Sequence, residues 1–363
     1  MKILLLVGGS RAGVDFFHSL IDGHSQILQF PGYLVINENF YRIFNLNDIS
    51  KIPNEFISQY PHFFNSKKNK VERHHKLGKK RNKFFIVNKK KFTKSFFAFM
   101  KNKNSKFDIL LALHAAYELA KGKKIKNKKI ILVNTHIIDY TNKFIHFMNI
   151  KNIEIIHTIR NPLSALSSPI KNWLNYKNGK YFLFDALFYH LDLVYKGLNR
   201  LRSLKKKVFV VQLEKLHKEN KKVMKDFCRL FKIRFENCLK KSTYHNLEWW
   251  GDEISGKFIN GVNKNFKATY DKSLFFRRDI SFFEFLAEDI INNYGYNFSH
   301  SLKRKYFFNF FPMKCEIIVW KNILKNRGIL IIFLIPYYYL KRLVFINKFS
   351  LRKIHFPYSI GAK

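Results

Sequence analysis

Acidic side chains and cysteine are scarce in this chain. Its 363 residues hold 25 Asp and Glu against 67 Lys and Arg, a formal net charge of +42. Such a surplus points to anionic partners, nucleic acid or an anionic membrane surface, and favours anionic ligands in any cleft. Lys, Asn, Phe and Ile are abundant together, as an AT-rich coding sequence would make them, so the charge also has a purely compositional reading. The three cysteines, Cys228, Cys238 and Cys315, are odd in number and widely spaced; they offer no metal-ligand spacing and fit a reducing cytoplasm. Long apolar runs are missing too. Gly328 to Leu340, about 13 residues interrupted by Pro336, is too short to span a bilayer. Ile3 to Val7 leads straight into glycines without a small-residue cleavage site, so the chain is expected to begin on a strand of the mature protein and not on a secretory signal. No internal repeat is visible.

What is present suffices for a core. A hydrophobic content of 47% excludes disorder throughout and supports one large domain with appendages, or two. The chain opens on Ile3 to Val7, a run right for a buried strand, followed by a turn punctuated by Gly8, Gly9 and Gly13 and then by Phe16, Phe17, Leu20 and Ile21 at helical spacing. A strand, a glycine-rich turn and a helix N-terminus gather backbone N–H groups around one point, a cradle for phosphate. Arg11 adds a permanent positive charge. The glycine spacing matches a Walker A loop, but Val14 and Asp15 stand where that motif needs Lys and then Ser or Thr, which removes its phosphate lysine and its magnesium hydroxyl. The same turn also serves ordinary strand-to-helix packing.

Further along, His24 to Gly32 reads as a loop returning toward the cradle. Phe40 to Lys106 reads as irregular, and its basic run Lys67 to Lys91 as a solvated helical insertion over the site, with a polyanion-binding run as the alternative. Ile109 to Ala120 is an amphipathic helix ended by Gly122. Ile130 to Val133, Ile153 to Ile159 and Val208 to Leu213 are short buried strands; Tyr181 to Leu204, Glu219 to Phe231 and Ser281 to Asn293 are helices. This alternation over residues 1 to 235 predicts an α/β fold: a doubly wound parallel sheet with a P-loop-like first turn, helical insertions and a basic, aromatic C-terminal extension. Polar residues at two strand exits, Asn134-Thr135-His136 and Arg160-Asn161-Pro162, stand where such sheets bind ligands. Gly328 to Leu340 reads either as a buried terminal helix or as a segment lying on an anionic bilayer.

Arg160 gives a fork of donors to a phosphate dianion, and Ser168, eight residues on, can add a hydroxyl. Arg-Asn-Pro with that serine, after a glycine turn carrying Arg11, resembles the sulfotransferases that use 3′-phosphoadenosine 5′-phosphosulfate (PAPS). The resemblance covers residues 2 to 235 and extends to the Trp250-Gly251-Asp252 turn, which is similar to the loop closing over the adenine end. It implies that Gly9, Ser10, Arg11, Ala12, Gly13, Val14 and Asp15 hold the 5′-phosphosulfate and that Arg160 and Ser168 hold the 3′-phosphate. It also implies that His136, after Thr135, is the general base and that Arg11 stabilises the leaving oxygen. An imidazole titrating near neutrality suits that task. A lone histidine after a strand is otherwise a hydrogen-bonded structural residue.

The chain departs from the family in carrying Asn134 for a lysine, and Val14 and Asp15 for hydroxyl residues. A carboxylate facing phosphate would repel it, so either Asp15 turns away toward Arg11 or PAPS binds weakly. The expectation is a cytoplasmic enzyme, associated with the inner membrane face if the C-terminal segment lies on lipid, with residues 1–300 as the sulfotransferase-like domain and 301–363 as the extension. PAPS is its co-substrate, with no metal and no specific nucleic acid. The acceptor would be a hydroxyl on a glycan or lipid-linked saccharide, with Trp249 and Trp250 suited to sugar faces. Two rivals remain: a non-catalytic protein holding a nucleotide or polyanion on a decayed sulfotransferase fold, and a nucleotide kinase, which the missing Lys-Ser/Thr disfavours.

Overall fold

The computed structural model describes residues 1–9, 11–45, 48–101, 103–175, 206–252, 258–259, 261–286, 294–296, 311–347 and 359–360. The expected helix Tyr181 to Leu204 lies outside them, as do Ser10 and the end of the helix expected to reach Asn293. A parallel sheet forms the centre, built from β1 (Lys2–Gly8), β2 (Ile27–Leu28), β3 (Ile130–His136), β4 (Ile153–Ile159), β5 (Lys207–Gln212) and a two-residue β6 (Ser359–Ile360) in the order β2-β3-β1-β4-β5-β6. The four long strands fall where the buried apolar runs put them. β3 continues to His136, three residues beyond the apolar run, and its register against β1 slips between Leu6 and Val7, so that Val7 lies opposite His136.

Alternation along each strand splits the core between two faces. Ile3, Leu5 and Val7 of β1 join one cluster with Ile131 and Val133, whereas Leu4 and Leu6 join another with Ile130 and Leu132. The first face is covered by α1's opposite layer, a group of helices formed by α2 (Glu38–Asn45), α3 (Ile52–Gln59), α4 (Pro61–Phe64), α5 (Lys89–Met100), α6 (Lys106–Ala120) and α7 (Ile138–Met148). The second is covered by α1 itself (Val14–Ile21) and, after α8 (Pro162–Asn175) and α9 (Leu213–Lys218), by α10 (Asn220–Phe231). Helices on both faces of a parallel sheet are the doubly wound arrangement expected.

The stretch from Phe40 to Lys106 is the main correction. It is not irregular: α2, α3, α4 and α5 bury Phe40, Ile43, Phe56, Phe63, Phe92 and Phe96. Apolar residues spaced at three and four positions were diluted by Lys and Asn, which hid the period. The long non-helical part is Asn65 to Asn88, a run of turns held by two isolated bridges, Asn65 with Ile86 and Leu77 with Lys83. α6 starts a turn earlier than expected because Ser105 caps it, its hydroxyl accepting from the Asp108 N–H.

Beyond the sheet, α11 (Arg277–Leu286) and α12 (Lys314–Arg327) pack Ile280, Phe282, Phe283, Cys315 and Val319 against Leu163, Leu166 and Ile170 of α8. Gly328 to Leu340 is not a buried helix. A 3₁₀ segment, Ile329–Leu334, runs into α13 (Ile335–Asn347), with Pro336 in the first turn, where its missing N–H costs nothing. Much of this segment is exposed.

Candidate active site at the strand exits

β1 and β4 are neighbours, yet the chain leaves β1 toward β2 and β3 on one side and leaves β4 toward β5 on the other. A crevice opens at such a switch point, beyond the carboxyl ends of the strands. Gly8 marks its floor, since a Cβ there would run into the Thr158 Oγ1 and Val14 Cγ2 atoms. The Gly9 N–H donates to the Thr158 carbonyl at 3.2 Å and the Ala12 N–H to the Gly9 carbonyl at 3.3 Å, so those two donors hold the loop together. Gly13 begins α1 at φ 81°, and α1 has no side-chain cap. The N–H groups of its first turn, Val14 to Phe16, are therefore the donors offered to an anion.

The charges of this loop are matched in an unexpected way. Asp15 does not turn toward Arg11. Its Oδ1 lies 3.6 Å from His136 Nδ1, while Arg11 reaches Asp252 with Nη1–Oδ2 at 2.9 Å and Nη2–Oδ1 at 3.3 Å. Burial alone would raise the Asp15 carboxyl, but the His136 charge beside it pulls its pKa down to about 2. Burial likewise disfavours the His136 imidazolium, and Asp15 more than offsets this, leaving the pKa raised. The His136 backbone is held in a left-handed conformation, φ 59°, with its N–H on Asn134 Oδ1 at 2.9 Å, and its ring stacks on Tyr33 at 4.9 Å between centroids.

At the β4 exit, too, buried polar atoms lack partners. Thr158 Oγ1, Arg160 Nε and Ser164 Oγ are buried without a hydrogen-bond partner, as is Asn134 Nδ2 on β3, on the far side of β1. Arg160 Nη1 points back to the Arg11 carbonyl at 3.5 Å, and its guanidinium lies 5.7 Å over the Phe266 ring. Glu214 steadies this exit by accepting from the Asn161 N–H at 2.8 Å and from the Tyr296 hydroxyl at 3.0 Å. Ser168 is partly exposed, in the second turn of α8, whereas Ser164 is fully buried and a turn nearer the arginine. Beyond His217, whose ring lies between Phe16 and Phe266, a cavity of about 790 Å³ is lined by Lys218, Lys221, Lys222, Lys225 and Lys264.

The run Lys67 to Asn88, expected as a helical insertion, is non-helical and packs against the Trp249–Trp250 turn. Trp249 Nε1–H donates to the Glu72 carbonyl at 2.8 Å, Trp250 Nε1–H to the Gly78 carbonyl at 2.8 Å and Arg73 Nη1 to the Trp250 carbonyl at 3.4 Å. Trp249 is thus a buried strut and not a platform for a sugar. Burial, followed by Asp15 and Asp252, pushes the Glu72 carboxyl up to about 8, so it is neutral at pH 7. Thr158, Ser164, Glu72 and Tyr33 were not found from the sequence. Ser164, four residues after Arg160, had a spacing that could have marked it. Among the described residues no group of three or more His, Cys, Asp or Glu is placed to share a metal ion.

No family model and no curated protein matches the chain. Among solved structures, the sulfotransferase domain from the curacin biosynthetic pathway is similar, with 13% identity over 90% of this chain and 98% of that one, at a TM-score of 0.36. A superposition that loose bears no weight for the chemistry, which has to come from the chain's own residues.

Proposed function

We propose that the protein is a PAPS-dependent sulfotransferase acting on a hydroxyl acceptor. One observation carries this reading: buried polar atoms without hydrogen-bond partners, on Asn134, Thr158, Arg160 and Ser164, belong to the strand ends and helix that flank a switch point with an uncapped helix N-terminus. Buried donors left unpaired cost free energy, about 1–3 kcal/mol each, and an anionic ligand with two phosphate groups would satisfy them. Arg160, with Ser164 or Ser168, would hold the 3′-phosphate, and the first turn of α1 the 5′-phosphosulfate.

His136 would act as base through Nε2, with the Asp15 carboxylate 3.6 Å from Nδ1 favouring the proton on that nitrogen. Asp15 then acts as the orienting partner of the base and does not face phosphate. The acceptor oxygen loses its proton to Nε2 as it bonds to sulfur, and the bond from sulfur to the bridging phosphate oxygen breaks. Arg11 and the α1 N–H groups stabilise the charge left on that oxygen. The acceptor class, a glycan or lipid-linked saccharide, belongs to the same proposal.

Titration calorimetry with adenosine 3′,5′-bisphosphate tests the reading. Binding independent of magnesium supports it; binding of ATP alone, and only with magnesium, would replace it with a kinase. A binding protein without catalysis is the second reading, favoured by Val14, which lacks a hydroxyl, and by Arg11, which is already engaged by Asp252. Donor binding with no sulfate transferred to host glycan or lipid extracts would decide for it.

A further inference from the structure

The segment after Gly328 carries apolar side chains that no core covers. Phe333 is 80% exposed, Leu340 62%, Tyr337 59% and Val344 57%. Residues 337, 340 and 344 are spaced three and four apart, so they share one face of α13, with Phe333 just before its start. Ile332 and Leu334 widen the patch. α13 has 13 residues, about 20 Å long, and no described helix is long and apolar enough to cross a membrane.

The charge around it has one sign. Residues 301–363 contain 13 Lys and Arg and a single acid, Glu316. That acid is buried and spent on Arg342, Nε–Oε1 2.8 Å. Lys321 and Lys325, both exposed, stand four apart on α12, which packs against the 3₁₀ segment. An apolar stripe with Tyr and Phe, flanked by cations and free of exposed carboxylates, matches a lipid interface with negative headgroups. A second copy of the chain fits less well, since it brings the same +42 charge.

We propose that the face formed by Phe333, Tyr337, Leu340 and Val344 docks the protein on an anionic bilayer, lying in the interface without crossing it. The docked segment shares its core with α8, the helix that follows Arg160, so the proposed site would stand close to lipid-borne hydroxyls. That last consequence rests on the sulfotransferase reading; the docking itself does not.

Co-sedimentation with vesicles of phosphatidylcholine, with and without 30% phosphatidylglycerol, tests it. The intact protein should pellet with the anionic vesicles at least tenfold more than with the neutral ones, and 0.5 M salt should reverse most of this. The double variant Phe333→Glu/Leu340→Glu should lose roughly tenfold in bound fraction. Both positions are exposed, so its circular dichroism and its affinity for adenosine 3′,5′-bisphosphate should stay at the wild-type values. A variant that pellets like wild type overturns the assignment of the face. Equal binding to neutral vesicles overturns the charge argument. Wild type that stays in the supernatant as a dimer, and becomes a monomer in the variant, replaces the bilayer with a second copy. Failure here with donor binding intact leaves the enzyme reading standing, and the converse result leaves the docking standing.

Discussion

The exits of β1 and β4 are adjacent, and they differ in how their polar groups are matched. After β1 each charge faces an opposite charge, Arg11 with Asp252 and Asp15 with His136, although Arg11 Nε and His136 Nδ1 make no hydrogen bond. After β4, Thr158, Arg160 and Ser164 keep buried atoms with none. The contrast assigns different work to the two exits. Groups already paired can move a proton or steady a charge with little rearrangement, whereas unpaired donors gain most when an anion arrives. Nucleotide affinity is therefore expected to come chiefly from the β4 exit, and turnover from the β1 and β3 side.

The largest effect that could break this division is at His136. Replacing it with alanine should lower turnover roughly 10² to 10⁴-fold, the usual worth of a positioned base, and leave the affinity for adenosine 3′,5′-bisphosphate nearly unchanged. If affinity and thermal stability fell together instead, His136 would be structural. Next, Arg160→Ala should weaken adenosine 3′,5′-bisphosphate by roughly 1.5 to 3 kcal/mol, the range for hydrogen bonds to charged groups. Adenosine 5′-phosphosulfate, which lacks the 3′-phosphate, should not notice the change; equal losses for both nucleotides would dissolve the assignment. Comparing Ser164→Ala with Ser168→Ala by calorimetry sharpens the same point, with the buried Ser164 expected to matter more.

A pH profile probes the other exit. The base must be neutral, and Asp15 raises the pKa of His136, so kcat/KM should climb with pH above the ordinary imidazole value of about 6.5. Asp15→Asn removes the charge that favours the imidazolium and should move that limb to lower pH; an unmoved limb would mean that another group titrates. The smallest expected effect is at Asp252. If it competes with the phosphosulfate for Arg11, Asp252→Asn should tighten donor binding about two- to fivefold, in keeping with the 0–1 kcal/mol of a partly exposed ion pair. Weaker binding would show that Asp252 instead holds Arg11 in place for the donor.

The sheet was legible because its strands are unbroken apolar runs that glycine or polar residues end; β4 was read to the residue as Ile153 to Ile159. The helices between Phe40 and Lys106 were not, because lysine and asparagine hid the period of Phe40, Phe44, Phe92 and Phe96. The positions of the glycine turn, Arg160 and His136 at strand exits were legible in the same way. Its pairings were not. Arg11 and Asp252 are 241 positions apart, and Asp15 and His136 come from different elements, so only the folded sheet brings them together. The carboxylate that looked like a defect in a phosphate loop gained its meaning from a partner more than a hundred residues away.

The indole of Trp249 has a kinetic consequence. Its hydrogen bond to the Glu72 carbonyl, with that of Trp250 to Gly78, ties the Lys67–Asn88 turns to the turn that holds Arg11 through Asp252. Glu72 and Arg73 both have left-handed backbones, φ 48° and 55°, a costly shape for residues other than glycine. While the tie holds, the two segments would move as one cover, and a nucleotide beneath it would leave only when they part. Our hypothesis is that residence time at this site is set by the cover more than by the phosphate contacts. Trp249→Phe keeps the ring and deletes the donor, so a chase of fluorescent adenosine 3′,5′-bisphosphate should run several-fold faster in that variant; an unchanged release rate would sink the idea.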